Sequence, residues 1–356
     1  MARRNRVEMQ EQNRGRVLAA ARAEFTERGF RNAKIDQIAE RADLTRGAVY
    51  SNFPSKRALY FAVLAQAAEA AEEPAYPPTA RTAGGVLADV ARAWLARLPL
   101  ATEDRRSASR LGRDLLPEIL ADERTSRPYA QLAGLSAIVL GLALERLPSG
   151  RPPAARMVRA AETALTTLHG ASQLAAAAPG FGEPFAIVRA CEELAELDLD
   201  DEWAPPHLPY VSPARPADES WAAPPATDIL RNEPAELGGD GVVAILGLHR
   251  LTAVEEARRA APAGAGVTVV LVTGEPGELG PLARLTLTEL RGCLRAAVPA
   301  AAWPRLQVVY DESGSLAATA GVAACSDATE SAVRVEAGRI VARADGYGAC
   351  HAVAVG

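Results

Sequence analysis

The chain has 356 residues, too many for one ordinary domain and enough for two or three. Hydrophobic residues make up 49% and charged residues 23%, a globular balance that excludes a wholly disordered chain. No uninterrupted apolar run reaches the roughly 18–20 residues that span a bilayer, and the basic start MARRNRVEMQEQNRGR is followed by no apolar secretion-signal core, so a cytoplasmic protein with no membrane partner is expected. The net charge of −5 divides unevenly: residues 1–60 carry 13 Lys and Arg against 7 Asp and Glu, a balance of +6, and the remainder carries 26 against 37, a balance of −11. A basic head on an acidic body points to a polyanion that meets the head alone, with a solvated basic tail as the plainer alternative. The four cysteines, Cys191, Cys293, Cys325 and Cys350, are too few and too scattered for a disulfide framework or a zinc ribbon. Neither a metal nor a cofactor is expected.

Residues 14–29, RGRVLAAARAEFTERG, predict an amphipathic helix. Val17, Ala21 and Phe25 recur at i, i+4 and i+8 with Leu18 beside them, and Arg and Glu take the other face. Gly29 suits the position just past the helix end, where a positive φ costs glycine little. A second short helix over 35–42 turns Ile35, Ile38, Ala39 and Ala42 inward. Asp43-Leu44 forms a tight turn. Thr45 is a good N-cap for a third helix over 46–53, because its hydroxyl can accept a free backbone N–H. Pro54 cannot continue that helix, and Ser55 caps a fourth that starts at Lys56 and carries Leu59, Tyr60, Val63 and Leu64. Residues 84–199, rich in Ala, Leu, Arg and Glu at helical spacing, predict helices over 84–98, 107–121, 127–147, 154–177 and 183–197, an all-α body.

Between 203 and 234 the character changes: eight prolines in that stretch predict a semi-rigid linker with extended segments. Trp203, Tyr210 and Trp221 within it point to a segment lying against a domain, with disorder as the equal alternative. Beyond it, GVVAILGL (241–248), VTVVLVT (267–273) and LQVVYD (306–311) read as buried strands. Helical stretches 252–261, 285–298 and 316–323 separate or follow them. SAVRVEAGRIVARADG (331–346) alternates as two strands about a turn at Glu336-Ala337-Gly338. The order β-α-β-α-β-α-β-β predicts an α/β domain with a central sheet and helices on both faces.

The two short helices over 35–53 carry the chemistry of the head. The second is presented to solvent and has the size of the DNA major groove. Its inward residues are Val49 and Phe53; Arg46, Gly47, Ala48, Tyr50, Ser51 and Asn52 face outward. Arg can bond guanine and Asn adenine, the small residues at 47 and 48 let the backbone approach, Tyr50 can donate to a phosphate, and Lys56 stands at a helix N-terminus suited to one. The run TRGAVYSNFPSKRAL, with Ala21, Phe25, Gly29-Phe30, Ile38-Ala39, Ala42 and Leu59, resembles the DNA-binding domain of the TetR family of bacterial repressors over residues 16–64. Two positions depart from that family's pattern. Lys34, which would otherwise be Thr, begins the second helix as a candidate phosphate contact. Asp43 stands where the turn usually has Gly, and Asp tolerates a left-handed conformation. The resemblance implies DNA contacts from Lys34, Thr45, Arg46, Gly47, Ala48, Tyr50, Ser51, Asn52 and Lys56.

It also implies a repressor rather than an enzyme, working as a homodimer through helices 154–177 and 183–197 on a palindromic double-stranded operator. A small-molecule effector of unknown identity would bind in the helical body. Dimerisation follows the physics of recognition, since one short helix reads too few base pairs alone. Trp94, Tyr129, Gln131, His169 and Gln173 could line such an effector pocket, or serve as ordinary interior residues. The expected organisation is therefore multidomain: a helix-turn-helix head over 1–64, a helical ligand and dimer domain over 65–200, a Pro-rich linker over 201–236, and an α/β domain over 237–356.

The last domain resembles the thioredoxin-like fold as found in peroxiredoxins. That resemblance brings a missing chemistry into view. Where the first strand meets its helix, a redox enzyme of this fold has a cysteine activated by the helix N-terminus; here the residues are Leu248-His249-Arg250-Leu251-Thr252. Glu330-Ser331 occupies the region of the family's supporting proline. The domain therefore reads as redox-inactive. The alternative is a thiol-based redox sensor or reductase using Cys325 and Cys350, placed in loops near element ends. His249 and Arg250 could bind an anion or sit in a solvated loop.

Overall fold

A computed structural model describes residues 2–71, 77–98, 111–149, 155–178, 180–206, 208–211, 213–262 and 264–355; the first residues of the predicted helices 107–121 and 154–177 lie outside them. Val17, Ala21 and Phe25 line the buried side of α1 (Ala2–Asn32), as their spacing requires. Gly29 breaks that helix with a φ of 72°. The polar side of α1 is not uniformly solvated. Glu24 is fully buried, its carboxylate between Arg28 Nε at 3.1 Å and Arg41 Nε at 3.3 Å, because α2 (Ile35–Arg41) brings a second guanidinium over it. Periodicity sorts apolar from polar positions but does not say which polar side chain a neighbouring helix will cover. Asp43 takes the left-handed φ of 51° in the turn, Thr45 Oγ1 accepts the Ala48 N–H at 3.1 Å, and α3 (Arg46–Asn52) follows. Ser55 accepts the Ala58 N–H at 2.9 Å and opens α4 (Lys56–Glu69). Phe25, Phe30 and Tyr60 pack ring against ring, Phe25 on Tyr60 edge-on at 5.3 Å.

The body is helical: α5 (Ala83–Leu95), α6 (Leu115–Leu120), α7 (Glu123–Leu144), α8 (Val158–Ala177) and α9 (Pro184–Glu193). Side-chain caps start several of them. Thr82 accepts from Gly85 N–H at 3.1 Å, Asp122 from Arg124 N–H at 2.9 Å, and Glu183 caps α9, whose first residue is Pro184, a position where proline loses no hydrogen bond. By length and composition α7 is apolar enough to cross a membrane, but 67% of its apolar window is buried inside the protein. It is the central core helix of the body. Gly141 lets α8 approach it: a Cβ there would stand 2.7 Å from Val158 Cα. Gly141→Val is therefore expected to destabilise the chain by about 2 kcal/mol or more through forced backbone movement, read as a lowered Tm in thermal unfolding.

The C-terminal region forms one six-stranded sheet. Its strands are β1 (Arg215–Ser220), β4 (Gly241–Gly247), β5 (Gly266–Val272), β6 (Leu306–Tyr310), β7 (Glu330–Glu336) and β8 (Arg339–Asp345), in the spatial order β1-β8-β7-β4-β5-β6; β2 (Thr227–Asp228) and β3 (Glu233–Pro234) make a separate small hairpin. β4, β5 and β6 are parallel; β7, β8 and β1 run antiparallel to their neighbours. The apolar runs of β4 and β5 are buried on both faces, as parallel strands between helices are. Val242, Ala244 and Leu246 face one core and Val243 and Ile245 the other. On the first face lie α10 (Val254–Ala260), α11 (Pro276–Ala297) and α13 (Ala349–Val355); on the second, α12 (Ser315–Thr319) and the segment around Trp221 and Leu237. The β7–β8 turn falls at Ala337 and Gly338, both with positive φ, as a tight hairpin requires.

Within the proline-rich stretch the chain makes defined contacts. β1 pairs with β8 as an edge strand, with a register shift between Pro216 and Glu219; an edge is where a strand proline is tolerated. Trp221 is buried and its Nε1–H donates to Leu237 O at 2.6 Å. Asp228 accepts the Val308 N–H at 3.0 Å and tethers the small hairpin to β6.

The first face of the sheet does not meet solvent. One continuous apolar core runs from Val17 in the head to Ala354 in α13, because α11, roughly 33 Å long at 1.5 Å per residue, lies against α4, α5 and α7. Charged pairs ring this junction: Arg156 with Glu255 and Asp201, Arg259 with Glu145, and Arg284 with Glu69.

Candidate nucleic-acid interface and ligand cavity

Val49 and Phe53 are buried beneath α3 and fix which side of it turns outward. On that side Arg46, Gly47, Tyr50 and Ser51 are exposed. Arg46 lies 5.6 Å above the Tyr50 ring and 3.4 Å from Asp36 Oδ1, a loose surface pair that leaves the guanidinium free to move. A Cβ on Gly47 would meet only Thr45 Oγ1, at 3.8 Å, so the helix N-terminus is sterically open. Lys34 and Thr45 are exposed on the flanks.

Three of the sequence candidates are placed differently from an outward face. Ala48 and Asn52 are half-buried. The Asn52 amide donates to Ala48 O at 2.8 Å, as does Ser51 Oγ at 2.9 Å. Lys56 turns back toward α1: its Nζ sits 4.5 Å from the Phe30 ring and donates to Arg31 O at 3.4 Å. Burial pulls its pKa below the ordinary lysine value, against the opposing charges of Glu118, Asp114 and Glu24.

A cavity of about 370 Å³ opens between the body and α11, within the usual size range for small-molecule sites. Trp94, Tyr129 and His169 line it. Tyr129 Oη is 3.0 Å from His169 Nε2, and His169 Nδ1 is 2.8 Å from Leu165 O. The neutral ring that donates to Leu165 and accepts from Tyr129 satisfies both, and burial depresses the His169 pKa in the same sense. Trp94 Nε1–H donates to Ser172 Oγ at 2.8 Å, and its ring centroid is 4.7 Å from that of His169. The other two sequence candidates are elsewhere. Gln131 accepts from Thr252 N–H at 3.2 Å, at the contact with the α/β domain, and Gln173 is exposed on α8, outside the lining. What sequence reasoning missed is the opposite wall: Thr286, Glu289, Leu290, Cys293 and Leu294, all from α11. Nothing in their local pattern says that this helix docks on the body.

At the β4–α10 junction, Arg250 pairs with buried Glu330 and lies 5.3 Å from the Tyr347 ring. Glu256, beside this pair, is pushed up to about 7 by burial and by the Glu330 charge. Cys350 is not in a loop: it lies in α13, fully buried, where burial and the charges of Glu330 and Glu256 raise its thiol pKa. Cys325 packs on the other face of the sheet. Among the described residues no cluster of His, Cys, Asp and Glu is arranged to hold a metal.

The head is of a DNA-binding type: a helix held by two buried anchors and open on its outer side. Residues 17–63 match the family model described as "Bacterial regulatory proteins, tetR family", so the head is a TetR-family helix-turn-helix domain. The chain is 44% identical over 54 residues to the HTH-type transcriptional activator FasR of Mycolicibacterium smegmatis, covering 15% of this chain and 25% of that protein. It is 45% identical over 65 residues to the HTH-type transcriptional regulator SrpR of Pseudomonas putida, covering 18% and 30%. It thus spans about a quarter to a third of the length of these curated relatives. Among solved structures, NalD, the secondary repressor of the MexAB-OprM multidrug efflux pump in Pseudomonas aeruginosa, superposes with a TM-score of 0.34 at 24% identity, covering 52% of this chain and 94% of that one.

Proposed function

We propose that this chain is a sequence-specific DNA-binding transcriptional regulator of the TetR type, acting as a homodimer on a palindromic operator. In this reading it is a repressor, released by a small molecule bound in the cavity of the helical body. The observation that carries the reading is α3 itself: Val49 and Phe53 pin it, and Arg46, Gly47 and Tyr50 stand exposed on one side, within the residues 17–63 that match the family model. In this reading Thr45 and Lys34 meet phosphates and Ser51 joins the outward face, with Ala48, Asn52 and Lys56 supporting from behind. Dimerisation is supported by an apolar surface at the α8–α9 corner, where Leu174 is 47%, Phe181 68% and Phe185 81% exposed in the single chain, more than a monomer usually leaves to water. A cytoplasmic location follows from the same reading.

We read the α/β region as thioredoxin-like and without redox chemistry. The succession β6-β5-β4-β7-β8 with helices on both faces supports the fold. The Arg250–Glu330 pair, where a redox enzyme needs a thiol, supports the lack of activity. A thiol switch using Cys325 and Cys350 is disfavoured, because the two lie on opposite faces of the sheet and both thiols are pushed up, chiefly by burial.

The test is a gel shift of the full chain on the DNA upstream of its own gene. Affinity is expected to fall on the order of a thousandfold between 50 and 200 mM salt, as about six phosphate contacts require. A folded protein whose DNA binding is absent, or indifferent to salt, would overturn the reading.

A further inference from the structure

The cavity has one feature that its apolar lining does not explain. Five of its polar side chains are satisfied within the protein: Trp94 is bonded to Ser172, His169 to Leu165, Tyr129 to His169, Ser136 to Leu132 and Thr286 to Leu282. Glu289 is different. It reaches the cavity from α11, and among the described residues no hydrogen bond or ion pair holds its carboxylate. Burial pushes its pKa up to about 7, and the charge of Arg97, whose guanidinium lies against Gly292 one turn along α11, draws it back. The second charged residue of the lining, Glu162, is exposed at the rim and also acidic. No Lys or Arg is among the lining residues. Around these carboxylates stand Leu116, Leu140, Leu165 and Leu290 with the rings of Trp94 and Tyr129, surfaces that accept an apolar body and can face a cation.

We propose that this cavity binds a small apolar molecule carrying a protonated amine, with the ammonium paired to the Glu289 carboxylate. The C-terminal domain thereby becomes a structural part of the ligand site. The proposal rests on the reading of the helical body as the effector domain of a regulator. An ammonium supplies the partner that Glu289 lacks, and a partly desolvated charge pair with little water to screen it discriminates strongly between ligands of different charge. A ligand carboxylate would face two like charges, and an alcohol of similar size would leave the Glu289 carboxylate with Arg97 alone to oppose it. The site also has a mechanical consequence. The start of α11 touches the turn that follows the recognition helix: Ser55 Oγ donates to Glu278 Oε2 at 2.7 Å, and a Cβ on Gly277 would be 3.2 Å from Pro54 Cγ. A ligand held by Glu289 therefore bears on the helix that abuts the head.

The experiment uses the full chain and three probes that share the naphthalene ring: 1-naphthylmethylamine, 1-naphthalenemethanol and 1-naphthoate. Their binding is followed by naphthalene fluorescence. The amine is expected to bind about tenfold or more tightly than either of the others, the least that a close charge pair contributes. Glu289→Gln is expected to erase that preference while the alcohol binds as before. Because a carboxamide can perturb packing, Tm of the variant is measured alongside, and Glu202→Gln, at an exposed carboxylate outside the cavity lining, serves as the control that keeps the amine preference. Equal affinity for all three probes, no binding of any of them, or an amine preference that survives in folded Glu289→Gln would overturn the proposal. Failure here and failure of the regulator reading are separable. A protein that shifts its upstream DNA but binds no probe retains the regulator reading and loses this one. A protein that binds the amine through Glu289 but ignores DNA does the reverse.

Discussion

Arg46→Ala is expected to weaken binding to the operator by on the order of a hundredfold while leaving Tm unchanged. The stability half of that expectation follows from exposure: Arg46 is bound only loosely, to Asp36 at 3.4 Å and above Tyr50 at 5.6 Å, and such surface pairs hold little. The affinity half follows from geometry. An arginine forked onto a guanine edge discriminates by about tenfold or more, and a twofold operator counts each head once, so the factor is squared. Arg46→Lys should rescue little, because a point charge lacks the fork. The salt dependence decides the role of the residue. A base contact leaves the slope of log affinity against log salt nearly intact, whereas a phosphate contact reduces it by about one per head. Anisotropy titration across a salt series reads both. Unchanged affinity in the variant would remove Arg46 from the interface. Lys56→Ala should differ in kind: its side chain packs on Phe30 and caps the end of α1 through Arg31 O, so a loss of DNA binding there should come with a lowered Tm.

The head was legible in the sequence because its determinants are local. Thr45 and Ser55 cap the helices that follow them, Gly29 and Asp43 take the positive φ their positions demand, and Val49 and Phe53 are buried as spacing predicts. The strands of the α/β region were legible for a similar reason: runs such as GVTVVLV have no polar side to place in water. What sequence reasoning could not see depends on surfaces brought together from far apart in the chain. Gln131 looked like a pocket residue until Thr252, 121 positions away, took its carbonyl. Glu289 falls in a stretch that spacing reads only as helical, and it lines a cavity because α7 and α8 lie opposite. The sequence places Cys350 in a loop near an element end, yet Gly346 and Gly348 before it adopt positive φ and the chain enters α13 at Ala349. The proline-rich stretch shows the same limit: Pro216 sits in a strand because that strand is an edge, a fact that composition does not carry.

Arg156→Ala is the substitution expected to cost the most stability. Arg156 is 16% exposed, and its guanidinium serves two carboxylates at once. Nε and Nη2 donate to both oxygens of Glu255 at 2.7 Å, and Nη1 donates to Asp201, whose side chain is fully buried. Glu255 lies on α10 and Asp201 on the segment leaving the body, so one side chain ties the body to the α/β region. Among the described residues, removing it leaves Asp201 with the Arg159 N–H at 2.8 Å and Glu255 with Arg259 at 3.1 Å. Two carboxylates are then buried with too little opposing charge, a loss of about 3 kcal/mol or more. The pH dependence has a definite sign. Burial works to raise the Glu255 pKa, but the hydrogen bond and charge of Arg156, with Arg259 behind it, bring it below the ordinary carboxylate value. The folded state thus favours the ionised form. The stability this supplies is present above the unfolded carboxylate pKa and is lost as pH falls through the folded one. Wild type should therefore lose Tm toward pH 4, and Arg156→Ala should lose less over the same range, having already forfeited that contribution at pH 7. A triple variant, Arg156→Met with Asp201→Leu and Glu255→Met, should recover much of the lost Tm, since the harm comes from charges left unpaired rather than from an absent attraction. If Arg156→Ala melted like wild type at pH 7, the junction would owe its strength to the apolar contacts of α11 alone.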